Sequence, residues 1–121
     1  MQEVSVIIPN FNGMAYLDGV LAGLECQSVN NFEVILVDNG SSDGSCAFVA
    51  ARYPWVHLIE LPENFGFCKA VNEGIKASRA PYVLLLNNDI EVTENFIEEM
   101  IFAIKRHPKA FSCAARMIQF H

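Results

Sequence analysis

Asn, Asp and Gly residues cluster directly after four apolar runs of the chain. The four clusters are Pro9-Asn10-Phe11-Asn12-Gly13, Asp38-Asn39-Gly40-Ser41-Ser42-Asp43-Gly44, Pro62-Glu63-Asn64-Phe65-Gly66 and Asn87-Asn88-Asp89. Two of the acids, Asp38 and Asp89, follow different runs, and together they would form an acidic pocket. An anionic phosphate can be held in such a pocket only through a cation. Mg²⁺ or Mn²⁺ suits this role, because one or two carboxylates plus substrate phosphates complete its coordination.

The elements that must position these residues alternate between strands and helices. Apolar runs predict strands over Val4–Ile8, Phe32–Val37, Val56–Leu61, Tyr82–Leu86 and Phe111–Ile118. Apolar residues spaced i, i+3, i+4 and i+7 predict helices around 17–24, 46–53, 67–75 and 97–104. Ser42 and Thr93 are the predicted caps of the second and fourth helices. This order predicts an α/β fold with an open, mostly parallel sheet and helices on both faces, which binds ligands beyond the carboxyl ends of its strands.

Composition limits the classes of protein that could carry this chemistry. The chain has 121 residues, 52% hydrophobic and 18% charged, which is typical of one globular domain and excludes a disordered tail. Its net charge of −6 argues against binding nucleic acid, which needs a basic surface. The apolar runs are far shorter than the roughly 20 residues of a membrane span. The four cysteines lack Cys-x-x-Cys spacing, so we expect small buried residues in a cytoplasmic protein, with contact at the inner membrane face left open.

Several common nucleotide and hydrolase motifs are absent from the sequence. The first strand is not followed by Gly-x-Gly-x-x-Gly, which argues against the usual dinucleotide site. The chain also lacks the P-loop pattern and the Gly-x-Ser-x-Gly elbow of α/β-hydrolases. The acidic strand tips are therefore the main chemical signal.

Four motifs in order resemble those of family-two glycosyltransferases with the GT-A fold, which is Rossmann-like. They are Val6-Ile7-Ile8-Pro9-Asn10-Phe11-Asn12, Val37-Asp38-Asn39-Gly40-Ser41-Ser42-Asp43-Gly44-Ser45, Asn64-Phe65-Gly66-Phe67 with Ala70, Asn72 and Gly74, and Leu85-Leu86-Asn87-Asn88-Asp89-Ile90-Glu91-Val92. The last has the form common in rhamnosyltransferase-like members. Together the motifs span nearly the whole chain, and they imply a nucleotide-sugar donor site.

The resemblance implies a role for each matching residue. Phe11 would stack on the nucleobase, the backbone at Pro9 and the adjoining Asn12 would help hold it, and Asp38 would hydrogen-bond its edge. The resemblance further places Asn87 and Asn88 at the ribose or phosphates, Asp89 on Mg²⁺ or Mn²⁺, and Lys69 near the phosphates by position alone. The implied donor is a dTDP- or UDP-sugar, with dTDP-rhamnose favoured. The implied acceptor is a saccharide or lipid-linked hydroxyl, attacked with inversion at the anomeric carbon.

This sequence departs from the family pattern at two positions and in its extent. Asn39 and Asn87 stand where many members have aspartate. The catalytic base and acceptor site of the family lie in a C-terminal half, so we expect residues 1–121 to be the donor-binding half of a fold incomplete at its C-terminus. Apolar surface left uncovered by that half would favour homo-oligomers.

Two other classes of protein stay open. A non-catalytic nucleotide-binding or interaction module of the same fold is favoured by Asn39, Asn87 and the missing base. A phosphoacceptor receiver domain shares the size, the α/β fold and an acidic Mg²⁺ pocket. Receiver domains carry their acids after strands one and three, however, whereas Asp38 and Asp89 follow strands two and four.

Overall fold

The computed structural model describes residues 2–106, which form eight alternating strands and helices. The strands are β1 (Val4–Asn10), β2 (Phe32–Asp38), β3 (His57–Glu60) and β4 (Tyr82–Leu85). The helices are α1 (Met14–Glu25), α2 (Ser45–Arg52), α3 (Phe67–Ala77) and α4 (Phe96–Arg106). The first four predicted strands and all four predicted helices are therefore confirmed. The predicted fifth strand, Phe111–Ile118, lies outside the described residues.

The four strands form one parallel sheet in the order β3-β2-β1-β4. β1 pairs with β2 from Val4 opposite Phe32 to Asn10 opposite Asp38, and its other edge pairs with β4. The chain thus moves outward through β2 and β3 and then returns to the far side of β1. Open α/β sheets bind ligands at such a reversal. The order also excludes the receiver-domain alternative, because that fold places its third strand beside the first.

Helices cover both faces of the sheet, as the continuous apolar strands predicted. Helices α1, α2 and α4 pack on the face that carries Val6 and Ile8. Helix α3 packs on the opposite face, against Ile7 and its neighbours on β2. A Cβ atom added to Gly74 would lie 2.5 Å from Cγ2 of Ile7, so α3 approaches the sheet as closely as a glycine allows. This contact fixes the position of α3 relative to the strand tips.

The two predicted helix caps, Ser42 and Thr93, are wrong. Helix α2 begins three residues after Ser42, and Asp43 Oδ1 accepts a hydrogen bond from the backbone N–H of Ser45 instead (3.0 Å). Helix α4 begins three residues after Thr93, and the Oε1 atom of Gln27 accepts a hydrogen bond from the second N–H of the helix (2.8 Å). The cap of α4 therefore comes from a loop about 70 residues earlier in the chain.

The cysteines are less buried than the sequence predicted. Cys26 and Cys68 are exposed and Cys46 is partly buried, while Cys113 lies outside the described residues. The expectation of burial is thus wrong for the first two, because both occupy the solvent side of their helix or its end. Within residues 2–106, none of the helices has the length and apolar character needed to cross a membrane.

The outer strand β4 carries apolar side chains toward solvent. Val83 and Leu85 are 45% and 44% exposed, although both lie on a strand of the central sheet. Their partners on β1 are Ser5 and Ile7, which are both fully buried, and α3 packs against Ile7 on that face. Exposed apolar strands favour association, and the predicted homo-oligomer stays a prediction that light scattering can test.

Candidate functional site

A groove of about 440 Å³ lies at the carboxyl ends of β1 and β4, where the sheet order reverses. Residues from four loops line it: Pro9, Asn10, Phe11, Asn39, Asn64, Gly66, Phe67, Asn87, Asn88 and Asp89. The structure thus brings together five of the site residues predicted from sequence, which are Pro9, Phe11, Asn87, Asn88 and Asp89. The other three, Asn12, Asp38 and Lys69, do not line the groove.

A hydrogen-bond network, here called the floor network, joins Asn10, Asp38, Ser41 and Asn88 at the base of the groove. Asn88 Nδ2 donates to Asn10 Oδ1 (2.7 Å), and Asn10 Nδ2 donates to Asp38 Oδ1 (2.9 Å). Ser41 donates to the two carboxylate oxygens of Asp38, from its backbone N–H to Oδ2 (2.8 Å) and from its hydroxyl to Oδ1 (2.7 Å). The tips of β4, β1 and β2 are therefore tied together through their side chains.

Asp38 lies at the centre of the floor network and not on the wall of the groove. It is 2% exposed and accepts three hydrogen bonds from two residues. A buried carboxylate needs such partners, because an unsatisfied one is costly. Burial raises the pKa of the nearby Cys46 thiol to about 12, and the carboxylates of Asp38 and Glu60 add to the effect. The geometry suits Asp38 to shaping the floor, and its predicted contact with a base stays a prediction.

Gly13 leaves the space that the floor network occupies. A Cβ atom at this position would lie 2.1 Å from Asn88 Nδ2 and 2.3 Å from Asn10 Oδ1. Those are the two atoms of the hydrogen bond that joins β4 to β1. The backbone of Gly13 has a φ of −97°, which any residue can adopt, so the requirement for glycine is steric.

Asn12 fastens the β1–α1 loop to the β2–α2 loop. Its backbone N–H donates to Ser41 Oγ (2.8 Å), and its Oδ1 accepts from the backbone N–H of Ser42 (2.8 Å). The residue has a φ of +51°, a left-handed conformation that asparagine adopts more readily than most residues. The preceding residue, Phe11, is held in the wall of the groove with 49% of its surface exposed. Asn12 thus positions Phe11 without lining the groove itself.

Lys69 forms an ion pair with Glu73 on the surface of α3. Its Nζ atom lies 3.1 Å from Glu73 Oε1, and about half of the lysine side chain is exposed. Hydrogen bonds from Lys69 and Lys76 lower the pKa of Glu73. The structure does not bring Lys69 to the groove.

The lining of the groove combines amide side chains with two aromatic rings and carries little charge. Among the described residues that line it, Asp89 is the one ionisable group, and it is exposed. It takes part in none of the ion pairs found between residues 2 and 106. The same residues contain no group of three or more His, Cys, Asp or Glu placed to hold a metal ion unaided. A divalent cation fits here only as Mg²⁺ often binds, through one carboxylate and the oxygens of a bound phosphate.

Sequence reasoning missed part of the wall. The β3–α3 loop lies in a motif for which the sequence predicts no role in the site. Asn39 stands out in the sequence only as a departure from the family pattern. The signal that could have found Asn10 and Asn39 is their position at the carboxyl ends of β1 and β2, the two innermost strands. The missed residues are Asn10, Asn39, Asn64, Gly66 and Phe67.

The sequence model of glycosyl transferase family 2 matches residues 5–121. The chain belongs to glycosyl transferase family 2. The resemblance of the four motifs is thereby confirmed at the level of the family, while the rhamnosyltransferase-like subgroup stays a prediction.

Curated relatives of the chain come from several bacteria. Glycosyltransferase GlyG of Streptococcus pneumoniae is 31% identical over 100 residues, which cover 80% of this chain and 33% of the relative. The putative teichuronic acid biosynthesis glycosyltransferase TuaG of Bacillus subtilis is 28% identical over 113 residues, covering 90% of this chain and 44% of TuaG. The chain therefore spans between a third and a half of the length of these relatives.

Solved structures share the fold of this family 2 chain. S. aureus TarS 1–349 in complex with UDP-GlcNAc superposes with a TM-score of 0.80 and 26% sequence identity. The match covers 88% of this chain and 32% of TarS 1–349. The parallel α/β sheet predicted from sequence is thus the GT-A-like arrangement of a glycosyltransferase.

Proposed function

We propose that residues 1–121 form the donor-binding part of a glycosyltransferase and hold a nucleoside diphosphate sugar in the groove between β1 and β4. One observation carries this proposal: a single groove presents an exposed aromatic ring, Phe11, from the β1 side and an exposed carboxylate, Asp89, from the β4 side. A nucleotide sugar needs both, a flat surface for its base and a means of holding its diphosphate. Membership of family 2 and the likeness to TarS, whose structure holds UDP-GlcNAc, support the same function.

The nucleobase would lie against Phe11. Stacking of a base on an aromatic ring contributes about 1–3 kcal/mol and tolerates different bases. The backbone at Pro9 would help hold the base, and Asn12 would keep Phe11 in place. Asp38 would act beneath the base by holding Asn10, in addition to the direct contact with the base that the family resemblance implies. We propose a UDP- or dTDP-sugar as the donor.

The diphosphate would lie over Asn87, Asn88 and Asp89. When bound, Mg²⁺ or Mn²⁺ would neutralise the negative charge that develops on the diphosphate leaving group. Asp89 would supply the carboxylate for that ion, since it is the ionisable group of the groove wall. Asn88 gives one hydrogen of its Nδ2 to the floor network, so its amide oxygen would accept from a ribose hydroxyl and its second Nδ2 hydrogen would donate to a phosphate. Lys69 stays with Glu73 in this assignment.

For the reaction we propose transfer of the sugar to a hydroxyl of a saccharide or lipid-linked acceptor, with inversion at the anomeric carbon. A carboxylate would take the proton of the attacking hydroxyl. Asp89 is committed to the metal in this scheme, so no residue between 2 and 106 is assigned as that base. The role proposed for this chain is therefore to bind and orient the donor.

The proposal is tested by calorimetric titration of UDP, dTDP and GDP, each with and without Mn²⁺. We expect binding that requires the metal. Loss of an outer-shell partner of a metal weakens binding by about 10- to 100-fold. Because Asp89 would be a direct ligand, Asp89→Ala should weaken UDP binding by about 100-fold. Glu91→Ala is the matched control, because it removes the same charge from an exposed residue outside the groove. The absence of metal-dependent binding by any of the three nucleotides, or equal affinity in the Asp89→Ala variant, would overturn the proposal.

A further inference from the structure

The side chain of Asn39 fastens the β3–α3 loop to the tip of β2. Asn39 Nδ2 donates to the backbone carbonyl of Gly66 (3.0 Å), and Asn39 Oδ1 accepts from the backbone N–H of Phe65 (3.0 Å). Asn39 is 5% exposed, so water competes little for these bonds. The carboxamide of Asn39 therefore bonds to two consecutive residues of the loop. Its nitrogen donates to one residue and its oxygen accepts from the other.

We infer that Asn39 is a positioning residue for a second aromatic wall of the donor site, formed by Phe67. This inference rests on the proposed function. Phe67 lines the same groove as Phe11 and is 55% exposed, although a phenylalanine on a helix would ordinarily be buried. The loop held by Asn39 ends at Gly66, so the position of Phe67 follows directly from the Asn39 contacts.

The backbone around Asn39 leaves the loop little freedom to shift. The N–H of Leu61 donates to the carbonyl of Asp38 (2.8 Å) at the start of the loop. A Cβ atom at Gly40 would lie 2.6 Å from Cα of Glu63, so the two loops touch through their backbones. The β3–α3 loop thus packs against the β2–α2 connection, and Asn39 holds the C-terminal end of the loop.

Asn39 also holds the first turn of α3. The carbonyl of Gly66 that accepts from Asn39 Nδ2 accepts the first helical hydrogen bond as well, from the N–H of Ala70 (3.3 Å). Movement of Gly66 would therefore move the start of the helix and the ring of Phe67 together. Because α3 is packed closely on the sheet at Gly74, the first turn is the part of the helix that can respond.

The two hydrogen bonds between residue 39 and the β3–α3 loop require a carboxamide at this position. An aspartate could still accept from the N–H of Phe65, but its second oxygen would face the carbonyl oxygen of Gly66 with no hydrogen between them. Two acceptors at that distance repel, and the loop would separate from the β2 tip. The asparagine found where the family often has aspartate is thus matched to the loop of this chain.

A double-mutant cycle on UDP binding in the presence of Mn²⁺ tests the inference. Phe67→Ala should weaken binding about tenfold, near the lower end of one aromatic–base stack. Asn39→Ala should weaken it to a similar extent, and the double variant should bind no more weakly than either single variant. Coupled residues depart from additivity in this way, whereas two separate effects would multiply.

Two further variants keep the test decisive. Asn39→Asp preserves size and the acceptor, so it reports on the lost donor even if Asn39→Ala fails to fold. Asn30→Asp is its control, since it adds the same charge at an exposed residue before the amino end of β2. If the wild-type chain does not bind UDP with Mn²⁺, the proposed function fails and this inference with it. If it binds, but the Asn39 and Phe67 variants match wild type or their effects multiply, the inference alone is overturned.

Discussion

Asp38 and Asp89 follow two strands of the same parallel sheet, but their surroundings differ completely. Asp38 is 2% exposed and accepts three hydrogen bonds, whereas Asp89 is exposed and pairs with no basic residue between 2 and 106. β2 is an inner strand whose tip is covered by the loop carrying Ser41, and β4 is an outer strand of the described sheet. One carboxylate therefore shapes the floor of the groove, while the other is available to a ligand.

The largest effect is expected from breaking the floor. Gly13→Ala places a methyl group on the hydrogen bond between Asn10 and Asn88, so we expect a loss of about 1–3 kcal/mol in the free energy of unfolding. UDP binding should weaken as well, because the β1 and β4 tips are pushed apart. Urea denaturation and calorimetry measure the two changes.

Gly19→Ala is the control for that variant. A Cβ atom at Gly19 meets its nearest neighbour at 3.6 Å, which is ordinary contact. In a helix this change should stabilise the protein by up to about 1 kcal/mol. Equal behaviour of the two variants would show that the floor network does not depend on the space at Gly13.

A smaller effect, confined to the affinity for UDP, is expected at Phe11 in the groove wall. Phe11→Ala should weaken UDP binding by about tenfold to 100-fold, the range of one stacked base. Because Phe11 is half exposed, the free energy of unfolding should change by less than about 0.5 kcal/mol. Tyr16→Ala, which removes an exposed aromatic ring outside the groove, should leave affinity unchanged. A Phe11→Ala chain that binds UDP as tightly as wild type would place the base elsewhere.

The smallest effect is expected at Lys69. This residue is paired with Glu73 on the surface of α3, and exposed ion pairs contribute about 0–1 kcal/mol. Because Lys69 does not line the groove, Lys69→Ala should change UDP affinity by less than about threefold, the same as Lys76→Ala on the other side of Glu73. A large loss in the Lys69 variant alone would mean that the lysine leaves Glu73 to reach the phosphates.

Local sequence patterns predicted the elements of the fold but not the contacts between them. Apolar runs and helical spacing are properties of neighbouring residues, and the β-α alternation then dictates a parallel sheet. The cap of α4 by Gln27 could not be found this way, because the two are joined only after the chain has folded.

The position of the site was likewise predictable from the sequence, but the contacts of its side chains were not. Strand tips identified Phe11, Asn87 and Asp89, since any side chain there reaches the carboxyl edge of the sheet. The choice between Asp38 and its neighbour Asn39 depends on side-chain direction. Adjacent residues at a strand end point to opposite sides, and only the structure shows that Asn39 lines the groove.

In the proposed site, a divalent cation and a nucleotide meet at Asp89. The most direct measurement is a ¹H–¹⁵N NMR spectrum of the chain with UDP while Mn²⁺ is added in small steps. Paramagnetic broadening should begin at the amides of Asn87, Asn88 and Asp89, reach Phe11, and disappear from all four in Asp89→Ala. Broadening that starts instead at the acidic residues of α4, Glu98 and Glu99, or that persists unchanged in the variant, would contradict the account.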